Sequence, residues 1–258
     1  VETILHTYGL DNYVKNIYFF EEKVTDSHTV LPFYADGCPG IIYQTGGLNA
    51  IRLPDKKTLS TLFVYGQTIH PIELSFVGAY QMLVFQLYPF AARTFFGIHP
   101  KTLNDDCYDL AATGPAVVEL LAALKASGNS DDYPVLMATF LAARLKTTST
   151  SPQEQIRLAL HLLLESGGQL SVSELCYKLH LTERTVQRLF EDQIGISPKQ
   201  FAQIVQFDLS FQQVIASPAP RLTDIVFENG YADQSHFIRR FRKYTGHIPS
   251  RLMRKTDN

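Results

Sequence analysis

The sequence predicts an α+β chain of more than one domain. A β-rich N-terminal barrel or sandwich with appended helices comes first, followed by an all-α domain with two helix–turn–helix units. Three observations carry this. Residues 1–110 are rich in aromatic and β-branched residues broken by Gly and Pro. Beyond Leu110 the apolar residues recur at helical spacing. One pattern is written twice in the last third of the chain.

The chain has 258 residues, enough for two domains of ordinary size. The boundaries read as 1–146 for the β-rich domain with two C-terminal helices, 147–152 for a linker, and 153–258 for the helical domain. In the first part NYVKNIYFFEEKV, CPGIIYQTG, TLFVYGQ, IELSFVGAY and QMLVFQLYP read as short strands. Turns fall at Ala35-Asp36-Gly37, Gly46-Gly47, Pro54-Asp55 and Gly78. The spacing then predicts a helix over 115–126, with Pro115 in its first turn and Val118, Leu121 and Ala122 on one side. A second follows over 132–146, with Leu136, Phe140, Ala143 and Leu145 as its apolar residues. These two helices either pack on the β-domain or supply a homodimer interface, and both can hold at once. TTSTSP reads as the linker, and Ser151, Pro152 and Glu154 as the cap of the next helix. That helix carries Ile156, Leu160, Leu163 and Leu164 and stops at Gly167-Gly168.

The repeat follows. Its first copy is ELCYKLHLTERTVQRLFEDQIGISPKQF, from Glu174; its second is DIVFENGYADQSHFIRRFRKYTGHIPSRL, from Asp224. Leu175 matches Ile225, Leu181 matches Tyr231, Phe190 matches Phe241, Gly195 matches Gly246 and Pro198 matches Pro249, with one residue added in the second copy before its second helix. Each copy reads as short helix, tight turn, longer helix. Ser171 or Ser173 caps the first short helix, with Glu174 in its first turn. His180 falls in the tight turn, where a left-handed residue is expected, and Gly230 matches it. In the first long helix, Thr182 to Gln193, Val186, Leu189 and Phe190 face inward, while Arg184, Gln187, Arg188 and Glu191 face out. In the second, Asp233 to Tyr244, Phe237, Phe241 and Tyr244 face inward. Gln234, Ser235, His236, Arg239, Arg240 and Lys243 are left outside. Arg and Gln suit major-groove readout, since Arg bonds guanine bidentately and Gln bonds adenine. Between the copies Ser197 to Ser217 reads as one long helix with Phe201, Ile204, Val205, Leu209 and Val214 as its apolar side. A rigid connector would fix the separation of two reading helices, and successive major grooves lie roughly 34 Å apart.

The formal charge is −2, a mild argument against nucleic acid if taken alone. The distribution answers it. Residues 1–152 hold ten Lys/Arg and fourteen Asp/Glu; residues 153–258 hold thirteen and eleven. Arg239, Arg240, Arg242, Lys243, Arg251, Arg254 and Lys255 cluster near the end, and affinity follows the phosphates contacted rather than the chain average. No run is long and apolar enough to cross a bilayer. The start lacks the basic-then-apolar pattern of a signal peptide, and the three cysteines are scattered. A reduced, cytoplasmic protein is the simplest reading.

GYADQSHFIRRFRKYTGHIPSRLMR, with LTERTVQRLFEDQIGISPKQF before it, resembles the AraC/XylS family of bacterial transcription regulators. The resemblance covers about 100 residues, from 153 to the end. It implies a helical DNA-binding domain on double-stranded DNA, activation more often than repression, and RNA polymerase as a partner. By motif position Arg184, Gln187 and Arg188 match base-contacting positions in the first reading helix, and Gln234, Ser235, His236 and Arg239 in the second. Glu191 and Asp192 stand where members often carry basic residues. The front stretches LPFYADGCPGIIYQTGG, VYGQTIHPIEL and FQLYPFAARTFFGIHPKTLNDDCYDL are similar to the N-terminal module of some members, which implies effector binding or dimerisation without naming a ligand.

The front half shows no convergent chemistry, and no enzyme activity or cofactor is expected. His28, His70 and His99 lack metal-site spacing, so no metal is expected. Asp105-Asp106 with Asp109 reads as a solvated loop or helix start, and Cys38 has no assignable base beside it. Tyr18, Phe19, Phe20, Tyr34, Tyr43, Phe76, Tyr80, Phe85 and Tyr88 either fill the core or line an apolar pocket, with Gln44, Arg52, Gln67 and Gln81 as polar contacts. A barrel enzyme with a DNA-binding tail, or a front domain that only dimerises, stand as the alternatives to a regulator controlled through its N-terminal domain.

Overall fold

The computed structural model describes residues 2–46, 50–148, 154–216 and 221–253. The chain divides into two compact units: Val1–Phe33, Cys38–Gln67 and Ile72–Pro152 in the first; Tyr34–Gly37, Thr68–Pro71 and Gln153–Asn258 in the second. Gly47, Ser149 to Pro152 of the expected linker and cap, Ser217, Arg254 and Lys255 lie outside the described residues.

The first unit begins with a short helix α1 (Glu2–Tyr8), then strands β1 (Val14–Glu22), β2 (His28–Phe33), β3 (Gly40–Gly46), β4 (Ile51–Leu53), β5 (Lys57–Thr58), β6 (Leu62–Tyr65), β7 (Ile72–Val77) and β8 (Tyr80–Leu87). Helix α2 (Ala91–Phe96), strand β9 (Cys107–Asp109) and helices α3 (Pro115–Ala126) and α4 (Tyr133–Thr147) complete it. The strands form an antiparallel five-stranded sheet, β1-β8-β3-β6-β9, and a four-stranded one, β2-β7-β4-β5. Between them Ile42, Phe63, Phe76, Tyr80, Met82 and Val84 form a buried cluster. Phe76 and Tyr80 stack with centroids 4.1 Å apart. Alternation sends the neighbours of these residues to the other face, where Tyr43 meets Tyr133 of α4 edge-on at 5.1 Å.

The expected strands are present, but β2, β4, β5, β9, α1 and α2 were not read from the sequence. The helices α3 and α4 match their expected spans, yet bury different faces. α3 buries Val117, Leu120 and Leu124, and Val118 is exposed; α4 buries Tyr133, Met137, Ala138 and Leu141. Both helices carry apolar residues nearly all round, so periodicity alone does not choose a face.

Of the four polar residues offered for a ligand pocket, Gln44, Arg52 and Gln81 are tied into the fold, whereas Gln67 is buried with neither side-chain amide atom hydrogen-bonded among the described residues. Gln44 donates to the Ser60 carbonyl (2.8 Å) and accepts from the Ala50 amide (3.0 Å). Arg52, buried, holds Asp55 and Asp106, and Lys57 reaches the same Asp106 carboxylate at 2.8 Å. Gln81 bonds Glu21. Asp106 is pinned while about half its side chain stays exposed, and Asp109, at the expected helix start, caps a 3₁₀ turn by accepting from the Ala111 amide. Tyr43, Phe76, Tyr80 and Phe85 are buried, whereas Tyr18, Phe19 and Phe20 are exposed.

The second unit is helical: α5 (Glu154–Glu165), α6 (Val172–Leu179), α7 (Glu183–Gln193), α8 (Pro198–Ala216), α9 (Leu222–Glu228), α10 (Gln234–Thr245) and α11 (Pro249–Met253). α5 buries Ile156, Ala159, Leu160 and Leu163, and Leu164 faces solvent. Gly168, with φ +72°, sits so close to α8 that a Cβ there would strike the Ala202 carbonyl. α8 buries Phe201, Ile204, Val205, Phe207 and Val214. Leu209, expected in this face, is exposed, and Phe207 takes the central place.

Candidate nucleic-acid interface

Each copy of the repeat is built from the same local devices. Ser171 caps α6 in a reciprocal capping box with Glu174. The Thr182 hydroxyl accepts from the Thr185 amide at the start of α7, and Asp233 accepts from the His236 amide at the start of α10. The turn between α6 and α7 runs through His180 at φ 53°, ψ 38°, the left-handed region. Gly230 takes the matching place at φ 69°.

The buried faces of α7 and α10 both rest on α8. Phe190 of α7 lies against Phe201, with centroids 6.1 Å apart. Phe241 and Tyr244 of α10 lie against Phe207 at 5.8 and 5.0 Å. A polar bracket joins α8 to the second turn. Gln206 donates to the Asn229 carbonyl (2.7 Å), and the Tyr231 hydroxyl meets Ser210 at 3.0 Å. Burial pushes the Tyr231 phenol up to about 12. At 1.5 Å per residue the 19 residues of α8 make a post about 28 Å long.

Opposite each buried face runs an exposed row. In α7 it is Arg184, Arg188 and Glu191, at i, i+4 and i+7. In α10 the corresponding residues are Ser235, Arg239 and Arg242, all exposed. Arg242 was not assigned to this face from the sequence. Its signal was available, since it stands seven residues after Ser235 and at the repeat position of Glu191. The remaining expected residues differ in setting. Gln234 is exposed. Gln187 is partly buried and donates to Glu191 at 2.7 Å. His236 is half-buried, edge-on to Tyr231 at 5.6 Å, with the Arg240 guanidinium 3.3 Å from its Nε2. Lys243 is exposed, its ammonium 4.9 Å from the Tyr244 ring centre.

The two rows differ in charge. α7 holds two Arg against Glu183, Glu191 and Asp192, a balance of −1. α10 holds three Arg and one Lys with no acid, a balance of +4. Among the described residues no group of three or more His, Cys, Asp or Glu is placed to hold a metal ion, and no helix is long and apolar enough to cross a membrane.

Comparison with known proteins agrees with this arrangement. Residues 175–255 match a family model described as a helix-turn-helix domain, and residues 4–109 match a domain of unknown function, DUF6597. A probable transcriptional regulator, LumQ of Photobacterium leiognathi, is 26% identical over 190 residues, covering 70% of this chain and 75% of that protein. The Msm operon regulatory protein of Streptococcus mutans is 23% identical over 126 residues, 48% of this chain and 44% of its own. Among solved structures, ToxT from Vibrio cholerae O395 superposes with a TM-score of 0.50 at 12% identity, over 94% of this chain and 97% of its own. That likeness shows the fold: a β-rich front unit followed by a helical one.

Proposed function

The chain is a DNA-binding transcriptional regulator of the AraC/XylS type, and from that premise we propose that α7 and α10 are its two reading helices, entering successive major grooves from one side of the duplex. The observation that supports this is the pair of exposed rows at identical repeat positions, Arg184–Arg188–Glu191 and Ser235–Arg239–Arg242, each set opposite a face packed on α8. Arg188 and Arg239 are the central residues of the rows and the assigned base readers; Gln187, Gln234 and Ser235 flank them. Arg242 and Lys243 are assigned to phosphates. His236 and Arg240, half-buried and bonded to each other, brace the start of α10 against Tyr231.

The test is direct. DNA fragments retained by the protein at physiological salt are sequenced, and the footprint is mapped on the recovered site. Protection should fall in two segments about one helical turn apart. Arg188→Ala and Arg239→Ala should each weaken binding by about 1–3 kcal/mol and relax specificity in one segment only. Protection of a single segment, or unchanged affinity in both variants, refutes the assignment.

The front unit is assigned the control of this activity through a small-molecule effector. Its match to a separate domain model ends at residue 109, well before the repeat begins, which supports a fused regulatory module. Activation through RNA polymerase is assigned on the family likeness. A reporter placed behind the recovered site, assayed in the presence and absence of the chain, tests the sign.

A further inference from the structure

We propose that Lys15 and Cys38 are the site of a reversible covalent modification. Hydrogen peroxide joins the lysine Nζ to the cysteine Sγ as a sulfenamide, stapling β1 to the segment that leads into β3.

No local pattern in the sequence gives Cys38 a partner. The fold supplies one 23 residues upstream, where the Lys15 Nζ donates to the Cys38 Sγ at 3.8 Å. Two features of the sheet bring the pair together. Asn16 of β1 and Gly40 of β3 both face Gln86, one on each side of β8. Their strands lie two spacings, roughly 10 Å, apart, a gap that the long lysine stem reaches across. The register of β1 also slips between Val14 and Asn16, which makes Lys15 the extra residue of a bulge, and a bulge re-aims the side chain it carries. Cys38 is 4% exposed, whereas Lys15 is exposed. The thiol is thus shielded from a second protein thiol, while its neighbour rides a flexible four-carbon stem.

The other two cysteines differ. Burial pushes the Cys107 thiol up to about 11. The cation that bonds its sulfur is the Arg52 guanidinium, which cannot give up a proton to become a nucleophile. Burial and the Glu183 carboxylate push the Cys176 thiol up.

An ammonium beside a thiol favours the thiolate, the form that attacks an oxidant. The Cys38 thiolate attacks one oxygen of hydrogen peroxide; the S–O bond forms and the O–O bond breaks. The departing hydroxide takes a proton from the Lys15 ammonium and leaves as water. Sulfur is thereby oxidised to the sulfenic acid, peroxide is reduced, and Lys15 is left as the neutral amine. That amine attacks the same sulfur. The S–N bond forms, the S–O bond breaks, and the hydroxide leaves as a second water with one proton of the amine. Sulfenic acids condense with nitrogen in this way. Dithiothreitol, oxidised to its cyclic disulfide, returns the thiol and the amine.

A peptide map tests this. The full chain is exposed to hydrogen peroxide under native conditions and digested with trypsin without reductant. The peptides holding Lys15 and Cys38 should appear joined, uncut after Lys15, lighter together by two hydrogens, and parted by dithiothreitol. Lys15→Arg keeps the charge and removes the nucleophile. It should lose the joined product and label with dimedone at Cys38, where the sulfenic acid is left standing. Wild type oxidised in urea, with the two residues no longer held together, should give no joined product. The proposal is overturned by a wild type whose Cys38 stays reduced or stops at an oxygen-bearing acid, by a joined product of equal yield in urea or in Lys15→Arg, or by a link from Cys38 to any other residue. Should Lys15→Arg misfold, the wild-type map and its urea control decide alone.

Discussion

Glu191 of α7 stands at the repeat position of Arg242 in α10, and replacing it with Arg tests the unequal charge of the two helices. Glu191→Arg turns the balance of α7 from −1 to +1. It also frees Gln187, whose amide donates to Glu191. Taking a phosphate roughly 7 Å away and water-like screening, each unit of charge is worth about 0.6 kcal/mol. The two-unit change should therefore tighten binding by about 1.2 kcal/mol, or about 8-fold at low salt. One added phosphate contact should steepen the plot of log affinity against log salt by about 0.9, so the gain shrinks about 3.5-fold on a fourfold rise in salt. Fluorescence anisotropy with a duplex of arbitrary sequence measures this without knowledge of the operator. Glu119→Arg, on exposed α3, makes the same change in net charge elsewhere. Equal gains in the two variants, or an unchanged salt slope in Glu191→Arg, would refute the claim that the local face governs binding.

Arg242→Ala should shift the same plot the other way, shallower by about 0.9, while leaving sequence preference intact. Tyr231 bears on stability at high pH. Its folded pKa, about 12, lies above the unfolded value near 10. The folded state therefore holds its proton longer, so the contribution is intact below pH 10 and lost as pH rises through 12. The loss is of order 3 kcal/mol, and Tyr231→Phe should flatten the fall in urea-unfolding free energy above pH 10. Tyr43 shifts in the same direction, also to about 12, so the comparison is made between variant and parent. Gly168→Ala should cost more than about 1 kcal/mol in thermal unfolding, through both its positive φ and the Ala202 carbonyl. Gly128→Ala, with open space at its Cβ, is the control.

The helical unit was legible because several signals agree on each element. α7 has its cap at Thr182, its turn at His180, and Val186, Leu189 and Phe190 at helical spacing. α10 repeats the set, so one copy checks the other. Arg242 is less legible because it directly follows the buried Phe241 among the four basic residues of α10, so only its alignment with Glu191 of α7 singles it out. Leu209 was misplaced because α8 packs on helices from more than one direction, and Phe207 fits between Phe241 and Tyr244 better than a single stripe predicts. In the front unit, strands of two or three residues such as β5 and β9 carry too few positions to show alternation. The helix α2, AARTFF, has six residues, too few to show a helical repeat. The role of Arg52 depends on Asp106, 54 residues away, a pairing no local pattern contains.

α8 supports both α7 and α10, so the screw of that one helix sets their angular phase. Inserting a single residue between Phe201 and Phe207 would turn everything beyond it by about 100° and advance it by about 1.5 Å. Under the proposed docking, the second probe would then face away from its groove. A change in the preferred distance between half-sites therefore cannot be reached by adding residues one at a time to this helix. Whole turns, or a different packing of α10 on Phe207, are the increments open to a descendant of this chain.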